Sequence, residues 1–337
     1  MLDLNSIRLG IIGFGLIGKQ RYRSAINIGI LAENIFVFDL AGKFIENSEF
    51  ENLNLVSSES EMMKKQISHC IISTPHDVAT LYAKRLLDSQ IKVLLEKPMG
   101  RSQKESEDLI SHIHSSKLSL GFNYRFMPGI QILKQNLLEK TFGNVISLKI
   151  DLGHGGSPTD FTSWKLSPEK SGGGALLDPG IHVIDLIQFL LDIKLSDFEI
   201  SGVNSWQGFW NTGIEECVFA IGKVDNVLVN LTISIVSWKT KFKLELIGTE
   251  GYFEIDGRGR SDGPQMISEG KRWAWLSGPS QLDSEVRQIL TNEDNSLQDE
   301  LFDWISEGPF HAHAEQGYQS MVFYSRLLSV MQRNDHS

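Results

Sequence analysis

Only two cysteines, Cys70 and Cys217, occur among 337 residues, and both fall in apolar, strand-like runs. This scarcity argues against a disulfide framework or a metal site and fits small buried hydrophobes in a reducing compartment. No apolar run approaches the roughly 18 residues that a membrane helix needs. A secretory signal pattern is also missing, since glycine-rich turn chemistry arrives by Gly13. Positive charge is in deficit, with 32 Lys and Arg against 42 Asp and Glu, a net charge of −10 at pH 7. Basic residues gather only in pairs, Lys64-Lys65 and Lys271-Arg272, whereas a phosphate backbone needs a basic surface. The expectation is a cytoplasmic protein without a nucleic-acid, membrane or metal partner. What is present is ordinary globular composition, 41% hydrophobic and 22% charged, in a chain long enough for two domains and without repeats or low-complexity tracts.

The first third alternates between short apolar runs and helical patterns. The run Ile7 to Ile12 leads directly into Gly13-Phe14-Gly15-Leu16-Ile17-Gly18, and a helical pattern follows through Ile28. Strand before and helix after make this glycine spacing a dinucleotide-binding turn. Gly13 permits the tight turn, Gly15 lets the backbone approach a pyrophosphate, and Gly18 lets helix and strand pack closely. The amides at the helix start then face the phosphates. A second strand, Ile35 to Phe38, ends in Asp39, whose carboxylate suits the adenosine ribose hydroxyls and repels a 2′-phosphate. Leu40, Ala41 and Gly42 supply no arginine for that phosphate, although Lys43 is near, so NAD is favoured over NADP. Further strands are expected at Leu53 to Val56, Ile67 to Ile72, Ile91 to Leu95 and Leu118 to Phe122. Helices are expected near Glu59 to Lys65, Asp77 to Ser89 and Gln103 to Ser115. Such alternation predicts a doubly wound parallel sheet, an α/β Rossmann domain over 1–122, with ligands beyond the strand carboxyl ends. Two of those ends carry chemistry. Ser73-Thr74-Pro75-His76 forms a turn and helix cap that should line the cofactor crevice, and Glu96-Lys97-Pro98 places a lysine there. Pro98 keeps Lys97 out of helical geometry, and the bond between them suits either isomer.

The second concentration of chemistry is Ser171 to Asp185, S-G-G-G-A-L-L-D-P-G-I-H-V-I-D. Asp178 and His182 have the spacing that shares one helix face. Asp178 suits an N-cap and Pro179 the first helical position, and Gly172 to Gly174 would let the backbone come close to a bound molecule. A capped amphipathic helix with a packed histidine is the plain alternative.

With Glu96-Lys97-Pro98 and Gly172-Gly173-Gly174…Asp178-Pro179-Gly180-Ile181-His182 in one chain, the sequence resembles the glucose–fructose oxidoreductase / inositol dehydrogenase / rhizopine catabolism (Gfo/Idh/MocA) family. Gly121-Phe122-Asn123-Tyr124-Arg125-Phe126 resembles the segment that joins the family's two domains, and Gly248-Thr249-Glu250-Gly251 lies in its second domain. The resemblance implies a Rossmann domain followed, over 123–337, by an α/β substrate-binding and oligomerisation domain with a large open, mostly antiparallel sheet, in a homodimer or homotetramer. The alternation of Val227, Val229, Leu231, Ile233 and Ile235 with Leu228, Asn230, Thr232, Ser234 and Val236 fits a sheet covered on one side. Strands are expected at Val203 to Trp206, Glu215 to Ile221, Val227 to Trp238 and Lys241 to Ile247. Covering helices are expected near Ala175 to Leu191, Asp299 to Ser306 and Glu315 to Met331. The stretch Gly257 to Ser284 reads as long loops, and Trp206, Trp210 and Trp238 as sheet-packing or subunit-contact residues.

The resemblance also implies that Lys97, Asp178 and His182 surround the carbon that gives or takes hydride. His182 is then the favoured proton acceptor, Lys97 steadies the developing alkoxide, and Asp178 holds substrate or tunes its neighbours. A lysine of lowered pKa could move the proton instead, which leaves that assignment open. Asn123, Arg125, Trp164 and Lys165 are candidate substrate contacts, with an ordinary interdomain ion pair the alternative for Arg125 and Lys165. The family usually carries a histidine a few residues beyond the proline matching Pro75; here Val78 and Ala79 stand there and only His76 is near. His311 and His313 read as surface or capping residues. The implied activity is NAD-dependent oxidation or reduction at a secondary hydroxyl or ketone of a sugar, cyclitol or nucleotide sugar. An NAD-dependent glycosidase and a non-catalytic NAD-sensing regulator share the fold and are the alternatives.

Overall fold

The structure, a computed structural model, describes residues 3–40, 50, 53–157, 163–259, 263–272, 285–290 and 295–334. Ala41, Gly42 and Lys43, considered above beside Asp39, lie outside the described residues, as does the end of the stretch through Ser284. The chain forms two compact units, Met1–Asn123 with Ser296–Tyr318, and Tyr124–Asn295 with Gln319–Ser337. A single cut after Phe122 was the expectation; the chain instead returns to its first unit late, for Ser296–Tyr318.

In the first unit, β1 (Leu9–Ile12), β2 (Ile35–Phe38), β3 (Asn54–Leu55), β4 (His69–Ile72), β5 (Lys92–Glu96) and β6 (Leu118–Gly121) pair in parallel, in the order 3-2-1-4-5-6. A two-residue strand, Ala312–His313, adds antiparallel to β6. Every residue of β1, β2 and β4 is buried, which explains unbroken runs such as Ile35-Phe36-Val37-Phe38 in place of alternation. The crossovers carry α1 (Leu16–Asn27), α2 (Glu59–Lys64), α3 (His76–Asp88) and α4 (Gln103–Ile110). Two of these helices start on Ser-x-x-Glu signatures: the Ser58 hydroxyl accepts from the Glu61 amide at 3.1 Å and that of Ser102 from the Glu105 amide at 3.3 Å. The core beside β1 joins Leu9, Ile11, Phe14, Tyr22 and Phe50 to Leu301, Trp304 and Ile305 from the returning helix Ser296–Ile305.

The second unit is built on eight strands: β7 (Val145–Gly153), β8 (Glu199–Trp206), β9 (Cys217–Val224), β10 (Val227–Ser234), β11 (Lys241–Gly248), β12 (Gly251–Asp256), β13 (Met266–Lys271) and β14 (Glu285–Ile289). Their order is 14-13-12-11-7-10-9-8, and only the β7–β10 pair is parallel. Helices α5 (Pro128–Leu138), α6 (Pro168–Ser171) and α7 (Gly180–Leu191) belong to this unit. The last helix, Ala314–Asn334, begins in the first unit and continues in the second. Gly180 and β10 touch closely, since a Cβ on Gly180 would sit 2.9 Å from Ile233 Cδ1. Three expectations change. The stretch expected to be loops contains β13, β10 stops at Ser234, four residues short, and Ser296–Ile305 belongs to the parallel-sheet unit. Strands β7, β12 and β14 and helix α5 went unread in the sequence.

On β10 the alternation holds: Val229, Leu231 and Ile233 are buried, while Leu228 and Asn230 are exposed. The exposed face changes character across the sheet. Trp206, Phe219, Ile221 and Leu228 lie on it at β8 to β10, whereas Lys149, Asp151, Lys243, Glu245, Glu254 and Asp256 share it at β7, β11 and β12. Among the described residues no helix is long and apolar enough to cross a membrane.

Candidate active site

The first unit has its strand-order reversal between β1 and β4, and the turn after β1 holds the glycine loop. Gly13 has φ +89°, and a Cβ there would lie 2.6 Å from the Ser73 carbonyl oxygen; on Gly18 it would lie 2.1 Å from the Gly13 carbonyl. Both positions exclude a side chain for internal reasons. Gly15 differs, because a Cβ built on it meets nothing within 4 Å. Open space above the first turn of α1 is what an approaching phosphate requires. The Phe14 ring belongs to the core, edge-on to Tyr22 and Phe50, while its amide donates to Asp39 Oδ2 at 2.5 Å. Leu16 is exposed and Ile17 partly so. The Ser73 hydroxyl donates to the Gly13 carbonyl at 2.7 Å and ties the β4 turn to the loop. Thr74 Oγ1 is buried without a hydrogen-bond partner among the described residues. Pro75 precedes α3, whose first residue, His76, is buried. An open backbone cradle, an unsatisfied hydroxyl and a carboxylate at the end of β2 together fit a dinucleotide.

Lys97 follows directly on β5, half-buried, with a cis bond to Pro98. Glu96, expected among the cofactor contacts, is engaged elsewhere: the wholly buried Arg21 donates to its Oε1 at 2.7 Å. Asn123 donates its side-chain amide to the Ser296 hydroxyl at 2.8 Å.

In the second unit, α7 starts at Gly180, so Asp178 lies outside the helix and Pro179, not Asp178, occupies the N-cap, with no side-chain cap. The Asp178–Pro179 bond is cis. Gly173 and Gly174 also serve a different purpose from the expected one. A Cβ on Gly173 would sit 2.3 Å from the Tyr324 hydroxyl, and on Gly174 2.1 Å from the Glu215 carbonyl, so the chain itself fills the space beside them. Glu215 clamps this turn, its Oε1 accepting from the amides of Gly174 and Leu176 at 3.1 Å each. Burial raises the Glu215 pKa against those amide bonds. Asp178 pairs with Lys165, Nζ to Oδ2 3.1 Å, and both line a cavity with His154 and Trp210. Trp164 and Lys165 form a short 3-10 turn whose Ser163 cap accepts from the Lys165 amide at 3.3 Å. His182 is buried on α7, its ring stacked on Tyr124 with centroids 4.0 Å apart. Arg125, expected at substrate, is buried: its Nε and Nη2 reach the two oxygens of Asp185 at 2.7 and 2.5 Å. A guanidinium held in this bidentate fork is an internal strut, which is the ion-pair alternative, made within the second unit and not between domains.

Sequence reasoning missed Arg21, Glu215, Tyr124, Glu216 and Arg258. The Arg258 guanidinium donates to the Tyr124 hydroxyl at 2.6 Å. Buried Glu216 accepts from the amides of Gly208, Phe209 and Trp210 at 3.1, 2.8 and 2.7 Å and so shapes the loop carrying Trp210. The adjacent pair Glu215-Glu216 between apolar runs was the one readable signal, since a buried carboxylate must find donors. Of the two readings given for His311, surface or capping, the first fails: the residue is buried, with Nδ1 3.0 Å from Asp303 Oδ2.

A glycine loop at the switch point of a 3-2-1-4-5-6 sheet, followed by an open-sheet domain, defines a class of two-domain dinucleotide-binding proteins. Residues 7–124 match the model of an oxidoreductase family with an NAD-binding Rossmann fold, and residues 130–254 match the GFO/IDH/MocA C-terminal domain. The chain belongs to the Gfo/Idh/MocA family of oxidoreductases. It is 26% identical over 332 residues to glucose-6-phosphate 3-dehydrogenase of Bacillus subtilis, covering 89% of this chain and 88% of that one. Among solved structures, levoglucosan dehydrogenase in complex with NADH superposes with a TM-score of 0.77 at 16% identity, covering 97% of both chains. KijD10, a 3-ketoreductase from Actinomadura kijaniata in complex with NADP, gives 0.75 at 15% identity over 97% of this chain and 98% of its own. Nicotinamide dinucleotides of both kinds thus occur on this fold.

Proposed function

We propose that the protein is an NAD-dependent dehydrogenase or reductase that moves hydride to or from a secondary alcohol carbon of a sugar, cyclitol or nucleotide sugar. The observation that carries the reading lies within one parallel sheet: the carboxyl end of β1 presents the open glycine loop, and that of β5 presents Lys97. The relatives support the substrate class, since glucose-6-phosphate 3-dehydrogenase, matched over 89% of this chain, is named for a sugar phosphate. Asp39 supports NAD over NADP, because a carboxylate held beside the loop repels a 2′-phosphate.

When bound, nicotinamide supplies the hydride acceptor or donor. The chain's residues handle the proton and the charge. His182 takes the hydroxyl proton as the carbon loses hydride, and the Lys97 ammonium faces the developing alkoxide. Asp178, partnered by Lys165, orients the sugar hydroxyl from the lined cavity of the second unit. Incubation with NAD and NADP and a panel of sugars, cyclitols and nucleotide sugars, beginning with glucose 6-phosphate, should yield reduced nicotinamide with at least one member. No reduction with any member, together with no oxidation of NADH by the corresponding ketones, overturns the reading.

We also propose that the exposed face at β8 to β10 joins copies into a homodimer or homotetramer. Trp206, Phe219, Ile221 and Leu228 form an apolar field there, bounded by the charged strands. Sedimentation of Phe219→Lys should show a smaller species than the unaltered chain; an unchanged mass removes this face from assembly.

A further inference from the structure

Arg21 lies in the second turn of α1, outside the glycine loop, yet its side chain is wholly buried. Its Nε donates to Glu96 Oε1 at 2.7 Å, its Nη2 to Glu300 Oε2 at 2.5 Å, and its Nη1 to the Leu297 carbonyl at 3.1 Å. Gly121 of the neighbouring strand leaves room for this cluster. A Cβ there would come within 2.9 Å of Glu96 Oε2 and 3.0 Å of Arg21 Nη2. Burial opposes the guanidinium charge, but the two carboxylates outweigh it and raise its pKa. Buried charge of this kind is a poor source of stability compared with apolar packing. Its location suggests another purpose, because three elements are pinned together at one point: α1, the last residue of β5, and the helix Ser296–Ile305. The residue after that pinned strand end is Lys97.

We propose that Arg21 is a positioning residue for Lys97. By holding Glu96 between α1 and the returning helix, it fixes the backbone from which the Lys97 amine projects. A lysine carries its charge on a flexible four-carbon stem, so its reach is defined only as well as its Cα. The glutamate preceding Lys97 therefore faces inward to anchor, while the lysine serves substrate. This rests on the reading of Lys97 given above, and the two are separable by experiment.

The test uses the full chain saturated with NADH and reads amine reactivity. Acetic anhydride labelling of Lys97 is measured by peptide mass spectrometry against Lys104, a surface lysine that is 78% exposed. Arg21→Lys keeps the charge but loses the fork, and Glu300→Gln keeps the shape but loses a charge. In each, the Lys97-to-Lys104 labelling ratio should rise about threefold or more as the strand end loosens. A purely structural role for Arg21 lowers the melting temperature without moving that ratio. A change below about threefold in both variants overturns the proposal. If Lys97→Ala retains near-native turnover, the chemistry assigned to Lys97 fails while the anchoring result stands on its own.

Discussion

The His182 imidazole lies flat on the Tyr124 ring, with 4.0 Å between centroids and 7° between planes, and Arg258 holds the hydroxyl of that tyrosine. The stack sets the imidazole plane, and the Arg258 contact holds the tyrosine on which it rests. Replacing His182 with Ala should lower kcat by about 10²–10⁴-fold if it carries the proton. Tyr124→Phe keeps the stack and should cost less turnover than Tyr124→Leu, which removes it. Steady-state kinetics on the identified substrate decide this, and near-native kcat in His182→Ala would strike the histidine from the mechanism.

In the proposed function, coenzyme choice turns on the Asp39 charge. Asp39→Asn retains an acceptor for the Phe14 amide and removes the negative charge. The ratio of kcat/KM with NADP to that with NAD should rise by about tenfold or more, equivalent to about 1.4 kcal/mol. A ratio unchanged from the parent would separate Asp39 from coenzyme selection.

The glycines of the loop should divide by consequence. Gly18→Ala forces a Cβ to 2.1 Å from the Gly13 carbonyl and should cost about 1–3 kcal/mol in urea unfolding. Gly15→Ala has open space and an ordinary φ of −71°, so its stability should stay within about 0.5 kcal/mol of the parent. Its NADH affinity should nevertheless fall, as read by fluorescence titration. Native affinity in Gly15→Ala would mean that no phosphate approaches that backbone.

His69 links stability to pH. Burial, helped by the Lys92 charge, pushes its pKa from about 6.5 down to about 4. Its ring stands edge-on to Trp304, and Nε2 has no partner among the described residues. Between pH 6.5 and 4 the unfolded chain binds a proton that the folded chain refuses, so this site's contribution falls as pH falls through that window. The slope it adds approaches about 1.4 kcal/mol per pH unit. Unfolding of His69→Phe across that range should show a correspondingly shallower loss, and parallel curves would refute the assignment.

The parallel sheet was legible because strands buried on both faces leave unbroken apolar runs, and Ile35–Phe38 was found to the residue. Strand β7 escaped notice because Lys149 and Asp151 on its exposed side interrupt the apolar signal. The same holds for β13, the strand next to the β14 edge, whose glycine, serine and charged residues interrupt any apolar run. In the candidate site, spacing pointed to the glycine loop, Lys97 and His182. It could not foresee the struts beneath them, because Arg21 meets Glu300 and Arg125 meets Asp185 across 279 and 60 residues of chain. For Asp178 the local pattern suggested a cap, whereas the helix begins two residues later at Gly180.

The late return of Ser296–Tyr318 to the nucleotide-binding unit bears on how that unit can be handled. A fragment ending at Asn123 would strip Arg21 of Glu300 and leave Leu9, Ile11 and Tyr22 without Leu301, Trp304 and Ile305. Excision by one cut would thus expose an apolar flank and take away one of the two carboxylates on Arg21, leaving only Glu96. A stable isolated coenzyme-binding module requires the two stretches to be spliced, with the returning helix joined behind β6.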